Sequence, residues 1–445
     1  MGSTAVGIEM RGPHGPRPSE SGPAVSEDPQ PTRRYQAVLL LAGFMMTFHV
    51  IGINSVFGIF QDLYTSDESK IPGTRGNDAV VSLIGTLGSG MTWSGGIFAN
   101  PIIARVESVK LVTLAGVVTM SLGLLLASYS SSLWQLFLTQ ALLYGIGSSL
   151  YYFPIISIAP TYFDRHRGFA MGFILSGSGV GGLVLAPVLQ VLLGRYGVGT
   201  TLRILAGWNF AMGVPVACVV RRRSAFNRSA GREHTRINMA LVKRGTFLYQ
   251  SLGAFLQAAG NVIPLYYMTS YSISILAYSR STGSLLLAIN SAVNSVSRIS
   301  MGLLADRVGR QNTMICGVFL SALCVLGLWY DAARPRFVTF VVMYGIYAGG
   351  YNALVPTTIS EIYGVENYAR VNGFVYFVRG LGSLFGAPVA GLILGSYKRG
   401  GAGEKPAQYR NVVVYDGVLL LCAGVCVAYV RWLDARDKGA WKWRA

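Results

Sequence analysis

The segment NSVSRISMGLLADRVGR, from Asn294 to Arg310, joins the end of a long apolar run to a charged stretch. A permanent cation, Arg298, stands inside the apolar part, about two helical turns before Asp306. A charge at the centre of a lipid bilayer costs about 2.5–3.5 kcal/mol on insertion scales, and residues that bear this cost commonly have a function. Whether this run spans a membrane therefore decides both the fold and the candidate site.

The composition of the chain favours a membrane protein. Its 445 residues are 52% hydrophobic and only 13% charged, whereas about a quarter of the residues of a soluble domain are charged. The net charge is +18, but the basic residues stand between apolar runs and not on the surface of a soluble domain. We therefore expect no nucleic-acid partner. The scattered cysteines and histidines lack ligand spacing and predict neither a disulfide framework nor a metal site. No cofactor is expected.

Apolar runs of helical length lie on both sides of the opening segment. Most of them reach the roughly 17–25 residues that a membrane-spanning helix needs. They lie near 36–60, 79–99, 111–127, 134–158, 168–193, 200–220, 245–270, 281–303, 312–330, 337–360, 370–394 and 411–433. The predicted fold class is an all-α integral membrane protein with twelve transmembrane helices.

The second half of the sequence repeats the first at an offset of about 200 residues. YGIGSSLYYFP (Tyr144–Pro154) returns as YGIYAGGYNALVP (Tyr344–Pro356). Two pseudo-symmetric six-helix halves that rock around a central site are typical of secondary transporters. The predicted organisation is a disordered cytoplasmic tail 1–34, an N-terminal bundle 35–220, a basic cytoplasmic linker 221–244, a C-terminal bundle 245–433 and a cytoplasmic tail 434–445.

The basic residues predict the orientation of the chain. They cluster in alternate connections, in the linker 221–244 and in the C-terminal tail, whereas the loop from Asp62 to Asp78 is net acidic. Because cytoplasmic loops carry an excess of Lys and Arg, both termini are expected in the cytoplasm. We expect a multi-pass protein of the plasma membrane whose partners are the bilayer and a solute, with no obligate protein partner.

The sequence GLLADRVGRQN (Gly302–Asn312) resembles the cytoplasmic loop signature of the major facilitator superfamily, which lies between the second and third helices of each half. The resemblance implies a gate in this loop. Two glycines would allow a tight turn, an aspartate would meet a helix N-terminus, and two arginines would pair with acidic groups. The predicted gating residues are Gly302, Asp306, Arg307, Gly309 and Arg310.

Two further segments resemble the monocarboxylate porter family within that superfamily. YFDRHRGFAMGFILSGSGVGG (Tyr162–Gly182) is similar to its fifth-helix signature, and FHVIGINSVFGIFQDLY (Phe48–Tyr64) to the first helix of its fungal members. Animal members carry a Lys on the first helix, and on the eighth an Asp four residues before an Arg. The corresponding residues here are Asn54, Asn294 and Arg298, so proton–lactate symport by the animal scheme is not expected. The GxGxxG spelled by the glycines 177, 179 and 182 lies within an apolar helix and predicts a packing face, not a nucleotide site.

Polar residues at membrane depth are the candidate substrate ligands. Arg298 and Arg379 lie at similar depths and have no obvious acidic partner in the sequence, which favours an anionic substrate. The alternative is that each arginine holds backbone carbonyls or aromatic faces. Further candidates, for which interhelical hydrogen bonding or packing is the alternative role, are His49, Asn54, Asn294, Tyr351 and Asn352.

The predicted function is secondary active or facilitative transport of an organic anion, a monocarboxylate or a carboxylated metabolite, by alternating access. Import of a small monocarboxylate and export of a fungal secondary metabolite both fit the resemblance. A transporter-like sensor that signals through its tails is a further alternative, but the predicted tails are short and without features that favour it. An enzyme is not expected, because a lone histidine at mid-span supplies no nucleophile, base or metal cluster.

Overall fold

Most of the chain is helical in the computed structural model, which describes residues 32–66, 69, 71–106, 108–163, 167–221, 243–395 and 405–439. The predicted all-α class is confirmed. Most of the predicted tail 1–34 and linker 221–244, and the last residues of the tail 434–445, lie outside the described residues.

The helices are numbered here in chain order. The first six are α1 Arg33–Thr65 (broken at Val56), α2 Asp78–Ser94 with Gly96–Arg105, α3 Val109–Ala127, α4 Leu133–Ile158 (with a π-helical turn), and α5 and α6, which are 167–196 and 198–219 of Arg167–Val219. The next six are α7 Gly245–Ser274, α8 Arg280–Val308, α9 Arg310–Trp329, α10 and α11, which are 334–363 and 365–395 of Arg334–Gly395, and α12 Lys405–Asp437. The two long segments are divided at Gly197 and Gly364, whose φ angles are 74° and 77°.

Eight stretches among the described residues are long and apolar enough to cross a membrane. One of them, Phe169–Val219, contains both α5 and α6. Helices α2, α7 and α8 are not among the eight. Helix α2 is divided at Gly95 into segments of 17 and 10 residues, and α7 and α8 carry many Ser, Asn, Gln and Tyr residues. Four of the polar residues of α8, Asn290, Ser291, Asn294 and Arg298, line a cleft.

The segment GLLADRV is helical, which corrects the expectation of a loop there. Helix α8 continues to Val308, and α9 begins at Arg310. Gly309, with φ 109°, is the whole connection, and this backbone conformation explains why a glycine stands there. Because Arg307 lies in the last turn of α8, where the helix dipole favours a cation, the charges support the helix end instead of breaking it.

Helix α5 packs against α1 on one face and α8 on the other through small residues. The space for a Cβ at Gly177 is occupied by the carbonyl of Phe44, and at Gly179 by that of Ser291. Close backbone approach through glycine is typical of helix pairs in membranes. The predicted packing face is therefore confirmed, and it joins helices from before and after the linker.

A second close contact joins α2 and α11. The carbonyl of Gly380 lies 2.9 Å from where a Cβ of Gly90 would stand. The hydroxyls of Thr86 and Ser94 donate hydrogen bonds, each 3.3 Å long, to carbonyls of α11. The two helix pairs, α5–α8 and α2–α11, thus connect the N-terminal and C-terminal parts of the fold.

Candidate functional site

Helix α8 presents a row of polar side chains on one face. Asn290, Asn294 and Arg298 recur every four residues, a spacing that places them on one side of the helix. They border a narrow cleft with a cavity volume of about 30 Å³. Helices α1, α5, α7 and α10 supply other wall residues, which include Ser55, Ser178, Asn261, Tyr344 and Asn352.

The guanidinium of Arg298 is buried and bonded to neutral groups only, as far as the described residues extend. Its Nε donates to Asn294 Oδ1 at 2.9 Å, one turn back on α8. Its Nη1 donates to the Leu175 carbonyl at 2.9 Å and to Ser178 Oγ at 2.6 Å, both on α5. Arg298 therefore holds backbone and hydroxyl oxygens, as the alternative role predicted, and it does so across the α5–α8 contact.

The asparagines of α8 also bond across helices. Asn290 Nδ2 donates to the Val341 carbonyl at 2.7 Å, and Asn294 Nδ2 to the Gly345 carbonyl at 3.3 Å. These bonds tie α8 to α10 and orient the amide oxygen of Asn294 toward Arg298. Asn294 is thus both an interhelical tie and part of the cleft.

Arg379 of α11 lies among aromatic rings. Its guanidinium carbon is 5.5 Å from the ring centre of Trp93, 5.4 Å from that of Tyr351 and 5.2 Å from that of Tyr376, within the range of cation–π attraction. Its Nη2 donates to Asn352 Oδ1, and its Nε has no hydrogen-bond partner among the described residues. Since Asn352 also borders the α8 cleft, it connects Arg379 with that cleft.

The region between the arginines carries uncompensated positive charge. Within the part of the chain that the structure describes, no carboxylate forms an ion pair with Arg298 or Arg379. Tyr152 and Tyr376 both lie near the two guanidinium groups, so all four side chains belong to one neighbourhood. Two buried cations without a counter-ion favour the binding of an anion.

Two predicted ligands lie elsewhere. Asn54 lines a separate cavity with Gln140 and Tyr144 in the N-terminal part of the fold. His49 is fully buried and stacks on Tyr151 with ring centres 5.3 Å apart. The structure therefore brings Arg298, Asn294, Asn352, Arg379 and Tyr351 together, but not Asn54 or His49.

The predicted gating residues lie where α8 meets α9. The carboxylate of Asp306 is 3.6 Å from Arg310, the first residue of α9. Arg310 also lies 3.8 Å from the carboxylate of Glu361 on α10. Gly302 is buried within α8, while Arg307 is exposed. These charges link α8, α9 and α10 within the C-terminal part of the fold.

Sequence reasoning missed an ion pair at the other end of α8. Arg280 Nε lies 3.4 Å from Asp62 Oδ2, at the end of α1. The pair joins the N-terminal and C-terminal parts at the end of the fold opposite Asp306. The sequence also did not identify Trp93 and Ser178 as residues near the two arginines. For Ser178 the available signal was the SGSG run of α5, which indicated helix packing.

The chain matches known proteins along most of its length. The family model described as Major Facilitator Superfamily matches residues 37–328 and 246–440. The agnestins efflux protein of Paecilomyces divaricatus is 29% identical over 398 residues, which are 89% of this chain and 87% of that protein. Monocarboxylate transporter 12 of Rattus norvegicus is 30% identical over 319 residues, covering 62% of this chain and 65% of the relative. Both kinds of relative agree with the resemblance to the monocarboxylate porter family.

Solved structures share the fold at low identity. The nucleoside transporter NupG has a TM-score of 0.65 and 16% identity, covering 88% of this chain and 99% of that one. A bacterial homologue of the lysosomal transporter Spinster also has a TM-score of 0.65, with 15% identity over 93% of this chain and all of that one. The apolar helices, their arrangement and the sequence match agree: the chain belongs to the major facilitator superfamily, whose members are multi-pass membrane transporters and not enzymes.

Proposed function

We propose that this protein is a secondary transporter of an organic anion, a carboxylate, which binds in the cleft at Arg298. The observation that carries the proposal is the buried guanidinium that bonds to Asn294, Ser178 and the Leu175 carbonyl but to no described carboxylate. Neutral oxygens solvate the cation without cancelling its charge. A substrate carboxylate would cancel it, and its planar oxygens match the guanidinium fork.

The bonds of Arg298 also suggest how binding is coupled to movement. Arg298 stands on α8, and two of its partners, Leu175 and Ser178, stand on α5. A carboxylate that takes over Nη1 releases the two bonds from Arg298 to α5, while the bond from Ser295 to the Ser176 carbonyl remains. Because α5 and α8 belong to different parts of the fold, the exchange weakens the contact between the two parts, which must separate in alternating access.

The orientation and the gates are part of the proposal. The halves would be the bundles 35–220 and 245–433, joined by the linker 221–244, with both termini in the cytoplasm of a cell whose plasma membrane the protein spans. The charges around Asp306 would then face the cytoplasm. The pair Asp62–Arg280 would form the outer gate, since it closes the opposite end between the halves.

Export of a carboxylated metabolite is the favoured direction. It is supported by similarity to the agnestins efflux protein and to an MFS-type transporter of Aspergillus niger, which is 28% identical over 80% of this chain and 81% of that protein. Asparagines at positions 54 and 294, where animal monocarboxylate porters carry charges, agree with this direction. Import of a small monocarboxylate is the second candidate, supported by similarity to monocarboxylate transporter 12.

The test is flux in proteoliposomes with Arg298→Gln. We expect protein-dependent flux of a carboxylate such as 2-naphthoate but not of its methyl ester, and Arg298→Gln to lose about 10- to 150-fold of carboxylate affinity, the contribution of a charge-assisted hydrogen bond. Arg203→Gln is the matched control. Like Arg298, Arg203 donates a hydrogen bond to a serine hydroxyl, but it is exposed on the surface of α6, where it lies over the ring of Tyr129. Equal carboxylate transport by native protein and Arg298→Gln would refute the proposal.

A further inference from the structure

The side chains around Arg379 are aromatic and polar, and they lie beside the cleft. We call Arg379, Trp93, Tyr152, Tyr351 and Tyr376 the Arg379 cluster. Trp93 packs edge-on against Tyr152 at 5.4 Å and lies 5.6 Å from Tyr376, between ring centres. The rings come from α2, α4, α10 and α11, so both parts of the fold contribute walls. Flat aromatic surfaces thus surround a buried cation.

Several hydrogen-bonding atoms of this cluster have no partner among the described residues. They are Arg379 Nε and the hydroxyl oxygens of Tyr152 and Tyr351. Nearby Tyr368, which interacts with Tyr376, has an unpartnered hydroxyl as well. A buried donor without an acceptor is unfavourable, and proteins normally satisfy such groups with water or a ligand. The cluster therefore offers donors to a molecule that brings acceptor oxygens.

The cluster is continuous with the Arg298 cleft. Asn352 borders the cleft and accepts a hydrogen bond from Arg379. Tyr152 and Tyr376 lie near both guanidinium groups. A solute whose carboxylate lies at Arg298 would therefore extend its remaining part toward Arg379.

We propose that the Arg379 cluster is a second subsite, which selects flat, unsaturated acids that carry a second acidic oxygen, a phenol or an enol, at the end remote from the carboxylate. The ring faces suit an unsaturated frame. The remote oxygen would accept from Arg379 Nε and from the tyrosine hydroxyls, whereas a short aliphatic monocarboxylate would leave them unpaired. This inference rests on the proposed role of Arg298 in holding the carboxylate.

The experiment measures binding of three acids to the purified full-length protein by calorimetry. The probes are 6-hydroxy-2-naphthoate, 2-naphthoate and octanoate. We expect the native protein to prefer the hydroxylated naphthoate about tenfold over 2-naphthoate, the contribution of one hydrogen bond to a charged group, and both over octanoate. Arg379→Gln should remove the preference for the hydroxyl while still binding 2-naphthoate, and Arg203→Gln should keep it.

Two milder variants cover the case in which Arg379→Gln fails to fold. Tyr152→Phe and Tyr351→Phe remove only the unpartnered hydroxyls, and each should reduce the preference about threefold. A preference that persists in all three variants would show that the cluster is packing solvated by water. Equal binding of octanoate and both naphthoates by the native protein would overturn the second subsite and leave the carboxylate site intact. Naphthoate binding that is unchanged in Arg298→Gln would instead refute the proposed function.

Discussion

The substitution Ser178→Ala tests whether Arg298 exchanges a protein partner for the substrate. Ser178 Oγ accepts from Arg298 Nη1 at 2.6 Å and donates to the Leu175 carbonyl of its own helix at 2.9 Å. An incoming carboxylate must displace the first of these bonds. Alanine removes that competitor without changing the charge of the site, so we expect the variant to bind 2-naphthoate more tightly than the native protein does.

The size of the gain follows from the bonds of Arg298. A hydrogen bond to a charged group contributes about 1.5–3 kcal/mol, which corresponds to about 10- to 150-fold in affinity. The Leu175 carbonyl still competes for Nη1 in the variant, so the lower end, about tenfold, is expected. Alanine is also a better helix former than serine, and α5 should fold normally.

The assay is calorimetric titration of the purified protein with 2-naphthoate, with Ser176→Ala as the control. Ser176 is buried on the same helix, but its hydroxyl donates to the Phe173 carbonyl at 2.7 Å instead of contacting Arg298. Its variant should bind like the native protein. A loss of affinity in Ser178→Ala would mean that the serine touches the substrate directly, and unchanged affinity would mean that Arg298 keeps its α5 partners during binding. Either result refutes the exchange.

Three further predictions concern the gates and the proton. Asp306→Asn should slow flux severalfold while 2-naphthoate binding is retained, because it breaks the contact with Arg310 away from the cleft; loss of binding would place Asp306 in the site. Exchanging the charges of Asp62 and Arg280 in one double variant should restore the flux that either single reversal lowers, if their 3.4 Å pair closes the outer end; additive losses would exclude that role. Asn294→Asp should bind 2-naphthoate steeply more strongly as the pH falls from 7.5 to 5.5, whereas the native protein and His49→Gln should show the same weak pH dependence of binding. A pH dependence that is equally steep in the native protein and lost in His49→Gln would identify a histidine relay.

The positions of the helices could be predicted because the bilayer imposes a simple rule on sequence. A helix that crosses lipid must be apolar over about 20 residues, so hydropathy locates it without knowledge of its neighbours. The ends of the helices follow less directly from hydropathy. The apolar run predicts that α8 ends near 303, whereas the helix continues to Val308. Charged residues are compatible with both a helix end and a loop, and only the backbone of Gly309 distinguishes the two.

The candidate site could be predicted only in part, for a physical reason. Arg298 and Arg379 were visible because a cation in an apolar run is costly and therefore conspicuous. Their partners were not, since a carbonyl such as that of Leu175 is present at every residue and has no sequence signature. Asn54 shows the converse case, in which a polar residue at the expected depth lines a different cavity.

The residue at position 294 decides what Arg298 requires before it can bind an anion. In the animal porters that this chain resembles, an aspartate stands at the corresponding position, and an ion pair with the arginine would have to be broken or protonated first. Here the amide oxygen of Asn294 lies 2.9 Å from Arg298 Nε and carries no net charge. The guanidinium is held in place but not neutralised, so its attraction for a carboxylate persists at any pH at which the substrate is ionised. Under the proposed function, binding therefore needs no proton, and a gradient of the anion itself would suffice to drive transport.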